Sequence, residues 1–358
     1  MSRDSDVGST PSGARNRATC LLTSHSAPRI SAPDLAEAWR RVGDLLERLP
    51  FDPTTPLGYK LFWTAGAEIG LRDLPAEGGH YAIFGRHTEA HVRLTADPEI
   101  SLRHLLATSY VLDDGSVALR LMDLRAELPF FLDDDEPRRA IVASGPVVAR
   151  VGRYVIGGIP TSELLAWQAA RRGGDGAGPY RVAPGREALR FRVLPSREIS
   201  RGITPPTSGI VGRHSRITVL PRPSEIIEVG RAGAVAPLPG TAVLVAEREG
   251  RAATVVLSDQ DLSLGVLVGR ADRCVDSGLR HVLTGEISRT HVLVLREHGA
   301  TWAFDLASTN GTYVNGRRAT RVRLADAGAV LELAGGRHCV RLRFVRQPRP
   351  TEPPQHLH

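Results

Sequence analysis

The sequence predicts an all-β chain, mostly antiparallel, built from two copies of one module behind a single N-terminal helix. Three observations carry that expectation. From about residue 57 the apolar residues fall in short β-like runs. One skeleton occurs twice: Tyr81-Ala82-Ile83-Phe84 leads into Gly85-Arg86 and then Ile100-Ser101-Leu102-Arg103-His104, while Leu264-Gly265-Val266-Leu267-Val268 leads into Gly269-Arg270 and then Ile287-Ser288-Arg289-Thr290-His291. Asn315-Gly316 is the dipeptide favoured in type I′ hairpins, so Thr312-Tyr313-Val314 should pair with the run from Arg317.

Taken in order, residues 1–30 read as a disordered arm, polar and without a secretory apolar region. Ser31 as N-cap, with Asp34 in the capping-box place, opens a helix over about 32–49. Its stripe of Leu35, Trp39, Val42, Leu45, Leu46 and Leu49 should dock on the domain that follows. Residues 31–160 then hold this helix and the first module. Residues 161–237 are a Pro/Gly/Arg-rich connector with a short helix from Ser162, a Gly173–Gly178 break and β-like runs at Ala188–Leu194 and Ile217–Leu220. Residues 238–347 form the second module, whose runs Val292–Leu295, Thr301–Phe304 and Val340–Phe344 suit strands with period-2 faces, and 348–358 read as a disordered tail.

Composition narrows the function classes. The formal charge is +7 and Lys60 is the only lysine, so no P-loop or kinase lysine is available. No nucleophile elbow or zinc-protease motif occurs, and the chain does not read as an enzyme. Three unpatterned cysteines and sparse histidines indicate neither a disulfide framework nor a metal, and no cofactor is expected. No apolar run reaches the roughly 18 residues of a membrane span, so a cytoplasmic location is expected. With aromatics at 5% and the arginines dispersed among acids, a nucleic-acid interface is disfavoured, although the positive balance suits phosphorylated partners.

Gly269-Arg270, Ser288-Arg289-Thr290-His291 and Asp305-Leu306-Ala307-Ser308-Thr309-Asn310-Gly311-Thr312, in this order, resemble the forkhead-associated (FHA) family. The resemblance implies two FHA-like β-sandwiches, the first degenerate, whose loops bind phosphothreonine peptides. It assigns Arg270 and Ser288 to the phosphate, Arg289 to ligand beside it, Thr309 to the surface lining the threonine, and Asn310 to the peptide main chain. Gly269, His291 and Gly311 become structural. A phosphothreonine carries about −1.5 to −2 charge and three acceptor oxygens, which suits a guanidinium fork and an amide that both donates and accepts.

The first copy keeps Arg86, Ser101 and His104, of which Arg86 and Ser101 would form a vestigial site, and has Leu102 where the second copy has Arg289. After Asp123 it has Leu124-Arg125-Ala126-Glu127 in place of the small polar loop, followed by Phe130-Phe131-Leu132, which reads as core or as a protein contact. In the second copy the interval Cys274–His281 is longer than an FHA loop needs; it would form an extra turn or displace Arg270 from Ser288. The expected function is a non-enzymatic adaptor that binds a threonine-phosphorylated partner through the second module, under a Ser/Thr kinase. The alternatives are a structural interaction module without phosphate dependence and, third, an Arg-rich nucleic-acid binder.

Overall fold

A computed structural model describes residues 35–50, 52–132, 136–165, 192–194, 216–219, 241–274, 277–297, 299–325, 329–336 and 338–346. The expected arm, the Ser31 cap, the Gly173–Gly178 break and the tail lie outside these residues.

The first module has strands β1 (Gly58–Ala65), β2 (Glu68–Pro75), β3 (Tyr81–Gly85), β4 (Val92–Arg93), β5 (Leu105–Val111), β6 (Val117–Asp123), β7 (Phe130–Phe131), β8 (Pro137–Arg138), β9 (Ala140–Ser144), β10 (Val147–Val151) and β11 (Tyr154–Pro160). They make one sheet in the order β2-β1-β11-β10-β7-β8 and a second running β9-β6-β5-β3-β4. Tyr59, Leu61, Phe84, Leu105, Leu121, Ile141 and Tyr154 fill the space between. Phe130 and Leu132 join them, so that segment is core. The helix Leu35–Glu47 lays Ala38, Val42 and Leu46 on the outer face of the first sheet, against Phe62, Val148, Val155 and Ile159. Two connector strands, β12 (Arg192–Leu194) and β13 (Arg216–Val219), extend the second sheet: β13 runs antiparallel to β9, with Ile217 opposite Ala143.

The second module has β14 (Thr241–Arg248), β15 (Arg251–Ser258), β16 (Val266–Val268), β17 (Val292–Glu297), β18 (Ala300–Asp305), β19 (Thr312–Val314), β20 (Arg317–Ala319), β21 (Arg321–Leu324), β22 (Ala329–Leu333) and β23 (Val340–Arg346). Its sheets run β15-β14-β23-β22-β19-β20 and β16-β17-β18-β21, around Leu244, Val255, Val266, Val292, Leu331 and Phe344. The expected hairpin is present. Thr312 pairs with Ala319 and Val314 with Arg317, while Asn315 at φ 50° and Gly316 at φ 73° supply the left-handed turn. The long interval after Arg270 contains a short helix, Ser277–Arg280, and Leu279 and Val282 anchor it in the core.

The two modules dock through the same sheet. In the first, Ile83 pairs with Leu106, Leu106 with Met122 and Met122 with Ala140. In the second, Leu267 pairs with Leu293 and Leu293 with Phe304. Both rows belong to one buried cluster that also takes Tyr81, Leu124, Leu264, Cys274, Leu295 and Leu306. The strands involved are therefore covered on both faces, which the continuous apolar runs of their sequences reflect and simple alternation does not. Burying each such Leu, Ile or Phe contributes about 1.5–3 kcal/mol. Leu264 reaches the cluster from the helix Asp259–Leu264, which Ser258 and Asp261 close with a reciprocal capping box.

Polar contacts cross the same junction. Thr108 Oγ1 donates to Glu297 Oε1 at 2.7 Å, and Arg120 approaches that oxygen at 3.6 Å. Arg120 also donates to the Ser263 carbonyl at 3.2 Å. The Tyr81 hydroxyl lies 2.7 Å from the Asp305 carbonyl and 2.9 Å from that of Thr320. These contacts pair the Glu297 carboxylate, the Thr108 and Tyr81 hydroxyls and one Arg120 terminal nitrogen across the junction, while Arg120 Nε stays buried without a partner.

Candidate functional site

The motifs of each copy close one hydrogen-bonded frame. Arg270 N donates to Ser288 O at 3.3 Å and Ala271 N to Arg289 O at 2.8 Å; in the first copy Arg86 N reaches Ser101 O at 3.2 Å and His87 N reaches Leu102 O at 2.9 Å. Ser288 N donates to His291 Nδ1 at 3.1 Å, as Ser101 N does to His104 Nδ1 at 3.0 Å. Each imidazole then carries its proton on Nε2, His291 donating to Gly311 O at 3.1 Å and His104 to Leu128 O at 2.9 Å. Burial holds His104 down to about 4 and pushes His291 down as well, against the pull of Asp305. Both remain neutral struts near pH 7.

The glycines that open these motifs are required by close approach. A Cβ on Gly269 would stand 2.4 Å from Arg289 O, and one on Gly85 would stand 2.2 Å from Leu102 O. The strand end is thereby pressed onto the backbone of the Ser-x-x-His segment.

On this frame the second copy places Arg270, Ser288, Arg289, Thr309 and Asn310 along one rim. Ser288 is buried, and its Oγ accepts from Thr309 N at 3.0 Å. Arg270 and Arg289 are exposed, and among the described residues neither has a carboxylate partner. The Arg270 Nε donates to Ile287 O, which aims the guanidinium along the rim. Asp305 holds the loop from inside, its Oδ1 accepting from Ser308 N at 2.8 Å and its Oδ2 from Thr312 Oγ1 at 2.7 Å. The loop is therefore held in one conformation by bonds within its own module.

The first copy keeps the backbone of this loop and not its chemistry. Arg125 and Ala307 share φ 54°, and Ala126 N donates to Asp123 Oδ1 at 2.8 Å as Ser308 N does to Asp305. Leu124 and Ala126 are buried, however, and Arg139 takes up the other Asp123 oxygen. Burial still pushes the Asp123 carboxyl up to about 6. Ser101 is engaged across the junction, where its Oγ accepts from Arg273 Nη1 at 3.2 Å. Arg86 stays within its own module, its Nε donating to Ile100 O.

Two neighbours of the rim, Glu286 and Arg318, escape sequence reasoning. Asn310 Nδ2 donates to both Glu286 O and Glu286 Oε2 at 2.8 Å, which ties the loop to the segment before Ser288. Arg318 folds back to Ser308 O at 3.4 Å; the hairpin that carries it is readable, but its reach is not. A junction cavity of about 370 Å³ is lined by Tyr110, Glu297, Trp302, Arg321 and Arg323 and includes none of the rim residues.

Residues 266–333 match the FHA domain family. Among solved structures, FHA-1 of Mycobacterium tuberculosis Rv1747 is 28% identical, with 31% of this chain and 99% of that one covered at a TM-score of 0.23. Mycobacterium tuberculosis EmbR in complex with a low affinity phosphopeptide is 18% identical, covering 31% of this chain and 26% of that one, TM-score 0.23. A domain solved in work on phosphothreonine-dependent FHA domain interactions is 22% identical, covering 30% and 98%, TM-score 0.23. No curated protein matches the chain. The second module carries an FHA domain.

Proposed function

We propose that the chain is a non-enzymatic adaptor that binds a threonine-phosphorylated segment of a partner protein at the rim of its second module, so that a Ser/Thr kinase governs the association. The observation that carries this reading is the pair of exposed arginines, Arg270 and Arg289, on a hydrogen-bonded backbone frame that also carries Ser288, Thr309 and Asn310. The FHA match supports it, because the matched span 266–333 contains all five of these residues. A dianionic phosphate would gain charge-assisted hydrogen bonds worth about 1.5–3 kcal/mol each from such donors.

The experiment is a titration of the full chain with a peptide mixture of fixed phosphothreonine and randomised flanks, beside its unphosphorylated twin and a DNA duplex. Binding should require the phosphate, and Arg270→Ala should weaken it by about 2 kcal/mol, roughly thirtyfold. Equal affinity for both peptide forms would support the structural interaction module. Stronger, steeply salt-dependent binding to the duplex would support the nucleic-acid reading.

A further inference from the structure

We infer that Arg103, a residue of the first module, is a positioning residue for the peptide-binding loop of the second, so that the two modules form one recognition unit; this rests on the reading of the rim given above. Arg103 is 4% exposed, and its guanidinium crosses the junction to donate through Nε to Leu306 O and through Nη2 to Ala307 O. These carbonyls immediately precede Ser308, Thr309 and Asn310.

The loop is thus held from two sides. Its own module fixes the inner side through Asp305, Ser288 and His291. The first module fixes the outer side through Arg103, and Tyr81 meets the Asp305 carbonyl where the loop begins. Ala307 sits at φ 54°, the same left-handed turn that Arg125 makes in the first copy, each turn closed by an aspartate that accepts from the following amide. What the second copy adds to that turn is the planar fork of Arg103 on Leu306 O and Ala307 O, which ties both carbonyls to the first module.

Arg103 is itself locked in place. Arg273 of the second module donates to Arg103 O at 3.4 Å, to Thr290 Oγ1 at 3.3 Å and to Ser101 Oγ at 3.2 Å. Arg125 in turn donates to Arg273 O at 3.2 Å. In the repeat, Arg103 stands where the second copy has Thr290, which has no comparable reach. The degenerate copy has therefore kept a long cation at a point where it can brace the other copy's loop. A loop ordered in advance loses less freedom when a peptide binds.

The test uses the full chain and the phosphothreonine peptide mixture with its unphosphorylated twin. Arg103→Met should lower phosphopeptide affinity about fivefold or more, with Arg103→Lys between it and the parent. Hydrogen exchange at Leu306–Gly311 should quicken in step. Thr108→Val, at the Glu297 end of the same junction, should lower the thermal midpoint and leave affinity unchanged. Parent-like affinity in folded Arg103→Met overturns the inference, as does an equal loss in Thr108→Val. If Arg103→Met does not fold, Arg103→Lys is judged by the same criterion. A loss with Arg270→Ala but none with Arg103→Met sinks only the positioning role, whereas no loss with Arg270→Ala overturns the recognition reading and this inference with it.

Discussion

Gly269 lies against Arg289 so closely that a Cβ on the glycine would stand 2.4 Å from the Arg289 carbonyl oxygen and 2.9 Å from the Thr290 Cα. Both obstacles are backbone, so a side chain there cannot be accommodated by a rotamer change. Gly269→Ala should cost about 1–3 kcal/mol of stability and displace Arg289 along the rim. Urea unfolding and peptide titration check this together; a variant with parent stability and affinity would show that the strand end is free to move.

Changes in the two copies should affect binding differently. Ser288→Ala removes the acceptor of the Thr309 amide and should cost about 1–2 kcal/mol in peptide affinity. Arg86→Ala should leave that affinity unchanged, because the first copy lacks the polar loop and its Ser101 is taken by Arg273. Calorimetry with one phosphopeptide decides it, and a comparable loss in both variants would show that the first copy also binds ligand.

Glu297 lies buried among Thr108, Arg120 and Arg321, with its side chain 4% exposed and that of Arg120 9%. Glu297→Ala should destabilise the chain by about 3–5 kcal/mol, because it leaves a buried guanidinium without its counter-ion. Denaturant midpoints measure this. A change below about 1 kcal/mol would mean that water reaches Arg120 readily.

Stability should fall between pH 7 and pH 5. Unfolded imidazoles take a proton near 6.5, while burial holds His104 to about 4 and His291 below its ordinary value. As pH drops below 6.5 the unfolded state gains protons that the native state refuses, and stability is lost. At pH 5 His104 alone removes about 2 kcal/mol. Asp123 acts in the opposite sense: with its folded value raised from 3.8 to about 6, the native state holds a proton that the unfolded state lacks, which returns about 1 kcal/mol at the same pH. A net loss on the order of 1 kcal/mol, plus the share of His291, should appear in unfolding curves. Equal or greater stability at pH 5 would mean that these imidazoles are hydrated.

The parts of the fold that are legible in the sequence are those written locally. Asn315-Gly316 announces its hairpin because the turn needs positive φ at both residues, and they show 50° and 73°. Gly-Arg and Ser-x-x-His are readable because a missing Cβ and a strut imidazole leave fixed spacings. The docking of the modules is not local. Arg103 meets Leu306 and Tyr81 meets Asp305 across most of the chain, and no spacing records such pairs. Its trace lies in Leu264–Val268 and Val292–Leu295, whose unbroken apolar character marks burial on both faces and not the alternation expected of them. The loop after Asp123 looks lost in the sequence because its side chains changed, yet Arg125 keeps the left-handed turn of Ala307.

Because both copies press the same strand row into the junction, each half alone would expose the surface that its counterpart covers. Separated at the connector, the halves become a split protein: each is prone to self-association, and each carries the complement that the other requires for reassembly in trans. Mixing them should restore one soluble heterodimer from two poorly behaved pieces. The connector does more than raise the local concentration of the two parts, because its strands β12 and β13 extend the sheet of the first module.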